Sequence, residues 1–411
     1  MQTVKLPQLA WYGPKELELT FPDSWDIKIC NIAGHDRVAL DADQIKQAVT
    51  DPISMAPLRE LAKGKKDVVI IFDDLTRGTR TAKIIPFLLE ELALAGIPDD
   101  HIRFMSALGA HAPLSRIDLA KKVGEDVIAR YAVYNHNAFD NCVHVGTTSA
   151  GTDVRINGEV MACDLKIAIG SVAPHPFAVF SGGGKIILPG VASIDTIMAN
   201  HIRPLTEEHR ANYETNPRRK DIEEAASFVK LDMLLQSVVN SWGETVSLHA
   251  GAPQPVREAA VKEAKTHFLA PKCSDSDIVI SNAYIKASES NVVLKNGFAS
   301  VADSGGDMVM IANAPGGQVP HYLIGHWGKN NEGDSRHYKL KRPPMEIPAH
   351  INHLIRYSEY PDVVSMDFAA GSKKAVPAST WDDVLTLLKA GHPDGAKVAV
   401  YPNADVMYFS P

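Results

Sequence analysis

The chain has 411 residues, of which 45% are apolar and 22% charged, and a formal net charge of −7. That length exceeds one ordinary core and predicts about two domains, while the acidic balance argues against a nucleic-acid partner, which would show a basic stripe. No apolar run approaches the roughly 20 residues that span a bilayer. Four scattered cysteines with no C-x-x-C pair, and a start (MQTVKLPQLAWYG) with no basic-then-apolar leader, read as reduced thiols in a cytoplasmic protein.

In chain order, Asp67-Val-Val-Ile-Ile-Phe-Asp73 is a continuous apolar run closed by acids, the pattern of a strand covered on both faces. Helical periodicity follows at Ala82–Ala95, then a strand at Ile102–Leu108, a helix at Ser115–Val123 and a strand at Ala129–Tyr134. Short strands near Cys142–Thr147 and Val154–Val160 read as a hairpin before an apolar strand at Leu165–Gly170. A charged helical stretch is expected over Asn216–Ser241. PVREAAVKEAKTHFLAP, over Pro255–Pro271, reads as one exposed helix with a proline at each end. Strands at Asp277–Asn282 and Asp307–Asn313, a Gly- and Pro-rich loop at Ala314–Pro320, a helix at Thr380–Ala390 and a strand at Lys397–Tyr401 complete the chain. The alternation predicts an α/β fold: two α/β domains with mostly parallel sheets, over residues 1–254 and 272–411, joined by a hinge helix at 255–271. The cleft between them is the expected active site.

Ligands of doubly wound sheets bind beyond the carboxyl ends of strands. Three such loops carry chemistry here: Asp73-Asp74-Leu-Thr-Arg77-Gly-Thr-Arg80, Gly109-Ala-His111-Ala-Pro113, and the long run PHPFAVFSGGGKIILPGVASIDTIMANH from Pro174 to His201. Each has a plainer reading. Asp74 and Arg77 also suit a helix cap with a local ion pair, His111 an ordinary loop position, and His201 a helix C-terminus. Gly182–Lys185 lacks the G-x-x-x-x-G-K-[ST] spacing, and Ile186 replaces the magnesium-binding hydroxyl, so a P-loop is rejected. The pairs His321/His326 and His350/His353 lack a third ligand nearby and read as surface or interface residues. Asp275 and Asp277 read as solvated.

Together these residues resemble the lactate racemase family, which depends on a nickel-pincer nucleotide. The resemblance rests on Asp74-x-x-Arg77, Ala107-Leu-Gly-Ala-His111, Tyr134-Asn-His136-Asn-Ala-Phe139, Gly151-Thr, Asn157 and the Pro174–His201 run, where Pro174-His-x-Phe177, Phe180-Ser-Gly-Gly-x-Lys185, Leu188-Pro-Gly190 and Asn200-His201 stand out. It is specific over residues 65–205 and weaker beyond.

The resemblance implies a racemase or epimerase of a small 2-hydroxy acid. It also implies a covalently attached cofactor, the nickel(II) pyridinium-3-thioamide-5-thiocarboxylate mononucleotide, made by separate cofactor-biosynthesis proteins. By the same resemblance Lys185 is the cofactor's attachment point and His201 the nickel ligand. His111 and His175 are the acid–base pair, and Asp74, Phe177, Gly182 and Gly183 lie at the cofactor. Arg77 and Lys295 hold the substrate carboxylate. Chemistry suits this set. A C2 proton beside a carboxylate is very weakly acidic, whereas removing hydride leaves a histidine only the hydroxyl proton to take. Val292 stands where lactate-acting members carry glutamine, and Arg80 and Lys286 add positive charge. The expected substrate is therefore larger than lactate or doubly anionic.

Three other classes stay open on the residues alone. A dehydrogenase with free NAD lacks its G-x-G-x-x-G signature. A zinc hydrolase would need His111, His175 and His201 to converge. A nickel-nucleotide carrier would need no acid–base pair.

Overall fold

A computed structural model describes residues 1–318, 345–362 and 372–409. His321 and His326, and the end of the Ala314–Pro320 loop, fall outside the described residues. The chain divides into two compact units: residues 36–266 form one, and residues 1–35 together with 267–411 form the other. This revises the expected boundaries. The first 35 residues belong with the C-terminal part, because Asp26–Ile29 pairs in parallel with Lys397–Tyr401 at the edge of its sheet.

In the unit spanning 36–266, a six-stranded sheet runs in the order Thr245–Gly251, Met233–Val239, Leu165–Ser171, Val68–Phe72, Ile102–Ser106, Ala132–Asn135. All neighbours are parallel except the first pair. Val68–Phe72 lies inside this sheet with every residue buried, as an unbroken VVIIF run requires when helices cover both faces. Ile70, Phe72, Ile84, Leu88, Phe104 and Ile167 belong to one core.

The predicted helix over Asn216–Ser241 is shorter. Pro217–Val229 is helical, Lys230 adopts a left-handed conformation at its end, and Met233–Val239 is a fully buried strand. The sequence MLLQSVV is too apolar to continue an exposed helix, and β-branched residues favour the sheet. The second hairpin strand stops at Asn157, whose side chain caps the helix Gly158–Ala162.

Among the described residues, the other unit holds a six-stranded, wholly parallel sheet in the order Ala375–Ala378, Ile351–Tyr357, Gly306–Ala312, Ile278–Ala283, Lys397–Tyr401, Asp26–Ile29. An antiparallel hairpin, Gln2–Gln8 with Lys15–Phe21, contributes Val4, Leu6, Leu17, Leu19 and Phe21 to its core beside Trp381, Val384 and Leu388. The expected linker helix begins at Pro253 and ends at His267. Among the described residues no helix is long and apolar enough to cross a membrane.

Candidate active site

Register places three loops side by side. Phe72 pairs with Ser106 on one side and Ile169 on the other. The segments that follow these adjacent parallel strands therefore leave the sheet along one carboxyl edge. They carry Asp74 and Arg77, His111, and the run from His175 to Lys185.

The first loop is pinned from beneath. Asp73, buried, pairs with the fully buried Lys122 at 2.7 Å and accepts from Thr79 Oγ1 at 2.5 Å and Ser171 N at 3.2 Å. Lys122 Nζ also donates to the carbonyls of Thr79 at 3.0 Å and Arg77 at 3.3 Å. Above this pair, Asp74 Oδ1 accepts from Thr76 N at 3.0 Å and Thr76 Oγ1 at 2.5 Å, while Asp74 Oδ2 lies 2.5 Å from His111 Nδ1. Burial alone would raise the Asp74 carboxyl, but the His111 imidazole and the Arg77 guanidinium outweigh it and hold the group well below the ordinary carboxylate range. An ionised Asp74 makes His111 Nδ1 the donor and leaves Nε2 as the nitrogen that changes protonation. Asp74 thus positions His111. The alternative of a cap on the next helix fails, since that helix begins at Thr81 with no side-chain cap. Arg77, half-buried, donates to Thr76 O at 3.0 Å and Thr76 Oγ1 at 2.7 Å.

The third loop opens with a two-residue pairing, Pro174–His175 with Val179–Phe180. Phe177 N donates to His175 Nδ1 at 3.2 Å, so in the neutral ring the proton sits on Nε2. In their neutral forms the two imidazoles therefore have opposite tautomers, with Nε2 an acceptor in His111 and a donor in His175. The Phe177 ring meets His175 edge-on at 5.9 Å and lies under Arg218 at 5.3 Å.

Gly182 and Gly183 have φ of 78° and 59°, the left-handed region that favours glycine. A Cβ at Gly182 would collide with the Gln236 amide, and one at Gly183 would lie 2.5 Å from Arg219 Nη2. The Cβ directions at these positions are thus filled by protein, so both sites call for glycine whatever lies on the other side of the backbone. Lys185 follows, half-buried. The second and third loops meet where Gly109 N donates to Gly190 O at 2.9 Å.

His201 ends the helix Ile194–His201, which Ser193 caps. Its neighbour Asn200 donates to Asp221 Oδ2 at 2.8 Å and to Arg218 O at 3.0 Å. His201 Nδ1 lies 3.0 Å from Ile197 O. A carbonyl only accepts, so Nδ1 holds the proton and the lone pair is on Nε2, the tautomer a metal-binding imidazole needs. Among the described residues no three His, Cys, Asp or Glu side chains form a metal-binding group, so the zinc-hydrolase reading finds no ligand set there. A single oriented imidazole fits a metal whose remaining ligands arrive with an organic cofactor.

Val292 and Lys295 belong to the other unit, Val292 half-buried in the turn Ala287–Val293 and Lys295 exposed on the helix Leu294–Phe298. Lys286 is buried, and Arg80 donates to Gly243 O at 2.8 Å. His350 Nε2 lies 3.1 Å from Phe298 O, and His353 Nδ1 lies 2.8 Å from the buried Asp307, which also meets His392 at 2.9 Å. These histidines bond within their own unit, and His353 is exposed, in keeping with the surface or interface position the sequence suggested. Asp275 is exposed, as expected, and pairs with Lys397 at 3.1 Å.

A lactate racemase from Lactiplantibacillus plantarum is 32% identical over 385 residues, 88% of this chain and 89% of that protein. The chain belongs to the lactate racemase family. Residues 12–214 match the lactate racemase N-terminal domain. A second family member, the lactate racemase of Thermoanaerobacterium thermosaccharolyticum, is 29% identical over 357 residues, 84% of this chain and 80% of that protein. The fold agrees as well. The solved lactate racemase apoprotein from T. thermosaccharolyticum superposes with a TM-score of 0.74 over all of both chains at 23% identity. A crystal structure of a Thermotoga maritima protein gives 0.66 over 90% of this chain and 98% of that one, at 17% identity.

Holding residues that the sequence did not single out are Asp73, Lys122, Asn216, Arg219 and Glu223. The Asn216-Pro217 pair is itself a helix-start signal, and Arg219 with Glu223 has the i,i+4 spacing of a helical ion pair.

Proposed function

We propose that the chain is a racemase or epimerase that inverts C2 of a 2-hydroxy acid with a nickel-pincer nucleotide attached at Lys185. The observation that carries this reading is the opposite tautomers of His111 and His175 on neighbouring loops of a lactate racemase-family chain. When bound, the nucleotide supplies the electrophilic acceptor for hydride. Oxidation at C2 needs a base for the hydroxyl proton, and His111 Nε2 is held ready to accept it. Return on the opposite face needs an acid, and His175 Nε2 carries the proton. The two exchange roles for the opposite enantiomer. Asp74 stabilises the His111 ring whenever it is charged. Arg77 and Lys295 are assigned to the substrate carboxylate, Arg77 through its planar fork and Lys295 as a point charge. His201 Nε2 is the chain's ligand to nickel. A pure carrier would gain nothing from the Asp74–His111 pair.

Intact mass and metal content, measured on chain produced alongside the cofactor-making proteins, test this. A nucleotide-sized adduct with nickel is expected, absent from Lys185→Ala; His201→Ala is expected to lose nickel, while His111→Ala and His175→Ala keep it and lose racemisation. An adduct persisting without Lys185 rejects the tether.

The substrate we propose is not lactate but a larger or doubly anionic 2-hydroxy acid, because Val292 removes a hydrogen-bonding group that lactate-acting relatives carry. Turnover on a panel with lactate and malate is expected to favour malate. A clear preference for lactate would sink the altered-pocket idea.

A further inference from the structure

The segment from His175 to Lys185 has little regular structure of its own, so its backbone must be held by something else. The holder is the helix Pro217–Val229. Asn216, its cap, receives Arg219 N on Oδ1 at 2.9 Å and donates through Nδ2 to Phe177 O at 3.0 Å. Arg219, in the next position but one after Pro217, is only 2% exposed. Its Nη1 donates to Phe180 O at 3.3 Å and its Nη2 to Gly182 O at 2.9 Å. One turn further, Glu223 Oε1 accepts from Gly184 N at 3.2 Å and pairs with Arg219, while Glu223 Oε2 lies 3.5 Å from Arg257 Nη1. The Arg219 guanidinium stacks 4.8 Å from the centre of the Tyr213 ring, which fixes its plane.

We propose that Arg219 is a positioning residue: its fork, flanked by Asn216 and Glu223, holds the backbone from Phe177 to Gly184 and so aims Lys185 and His175. The proposal rests on reading Lys185 as the cofactor tether. A guanidinium donates to two carbonyls, here those of Phe180 and Gly182, from two nitrogens of one plane, which an ammonium cannot do with fixed geometry. The Glu223 carboxylate occupies the loop's Gly184 N–H, where a phosphate would otherwise be expected. The glycine loop is therefore a shaped support for its lysine, and the helix is the mould.

The test compares Arg219→Lys with wild type in two measurements. Hydrogen exchange of the 177–187 peptide in chain without cofactor reads the clamp alone. The fraction of chain carrying the nucleotide adduct, from intact mass after production with the cofactor-making proteins, reads the aim of Lys185. Arg219→Lys keeps charge and length, so a cooperative thermal transition is expected. Exchange over 177–187 is expected to quicken, and the loaded fraction to fall about tenfold, the scale of one lost charge-assisted hydrogen bond. Unchanged exchange, or wild-type loading in a folded Arg219→Lys protein, overturns the proposal. Glu223→Gln, at a side chain 25% exposed, serves if Arg219→Lys does not fold. It is expected to quicken exchange at Gly184 and lower loading, and wild-type behaviour in both overturns the clamp. An adduct that survives Lys185→Ala sinks the tether reading, and the aiming of Lys185 with it, even where exchange shows the backbone clamped.

Discussion

At His111 the ring nitrogen Nδ1 meets an ionised carboxylate, Asp74, at 2.5 Å; at His136 the partners are the Ala192 carbonyl at 2.8 Å and the Asn157 amide at 3.1 Å. The same side chain is thus given opposite electrostatics 25 positions apart. Burial pushes His136 down to about 4, against the pull of its bond to Ala192 O. Its Nε2–H donates to that carbonyl and its Nδ1 accepts from Asn157, so the neutral ring is a strut between the 136–139 loop and the segment before the His201 helix. The folded chain binds this proton less readily than the unfolded chain. Stability is therefore fully present above about 6.5 and is lost as pH falls towards about 4. Charging the buried ring costs the folded chain about 3 kcal/mol. Melting temperature measured from pH 7.5 to 4.5 should fall with acidity, and His136→Gln, which keeps one donor and one acceptor, should flatten the fall. An equally steep profile in that variant would mean another group sets the acid limit.

Elements with one strong period were legible in the sequence, and those whose identity depends on a distant partner were not. Val68–Phe72 announces itself, because its run, buried on both faces, carries no polar residue to disguise it, and Leu165–Ser171 does so through Ile167, Ala168 and Ile169 in spite of Lys166. The carboxyl-edge rule then brings the Asp74, His111 and His175–Lys185 loops together from strand order alone. Met233–Val239 was lost inside a longer helix, since an apolar run next to a helical one has no period of its own to mark the change. The Asp74–His111 bond is illegible for a similar reason. Nothing local to Asp74 says that His111, from the neighbouring strand end, will take its Oδ2. The buried Asp73–Lys122 pair was equally invisible, although it ties the strand end, the loop and the helix Arg116–Val123 into one block. Such a pair contributes geometry more than stability, since both charges must be desolvated to form it.

For the whole molecule, the discontinuous unit poses a folding question. Residues 36–266 enclose their own sheet and core, from Ile45 to Ala250. Residues 267–411 do not. Their sheet lacks its edge strand Asp26–Ile29, and their core lacks Val4, Leu6, Leu17, Leu19, Phe21 and Trp25, all supplied by the first 35 residues. Each such side chain contributes roughly 1.5–3 kcal/mol on burial, so six of them exceed a large part of the 5–15 kcal/mol that is the usual range for a domain. A fragment of residues 36–266 should therefore melt cooperatively by itself, while 267–411 should show no cooperative transition. Joining residues 1–35 to 267–411 through a short flexible linker should restore one, because Ala33 N and Gly34 N already donate to Leu269 O and His267 O at 2.8 and 2.9 Å, which brings the two pieces together at the join. Circular dichroism against temperature on the three fragments decides the matter. A sharp transition in 267–411 alone would show that the first 35 residues only decorate a core that forms without them. The family match beginning at residue 12 would then run through a segment the second unit can do without.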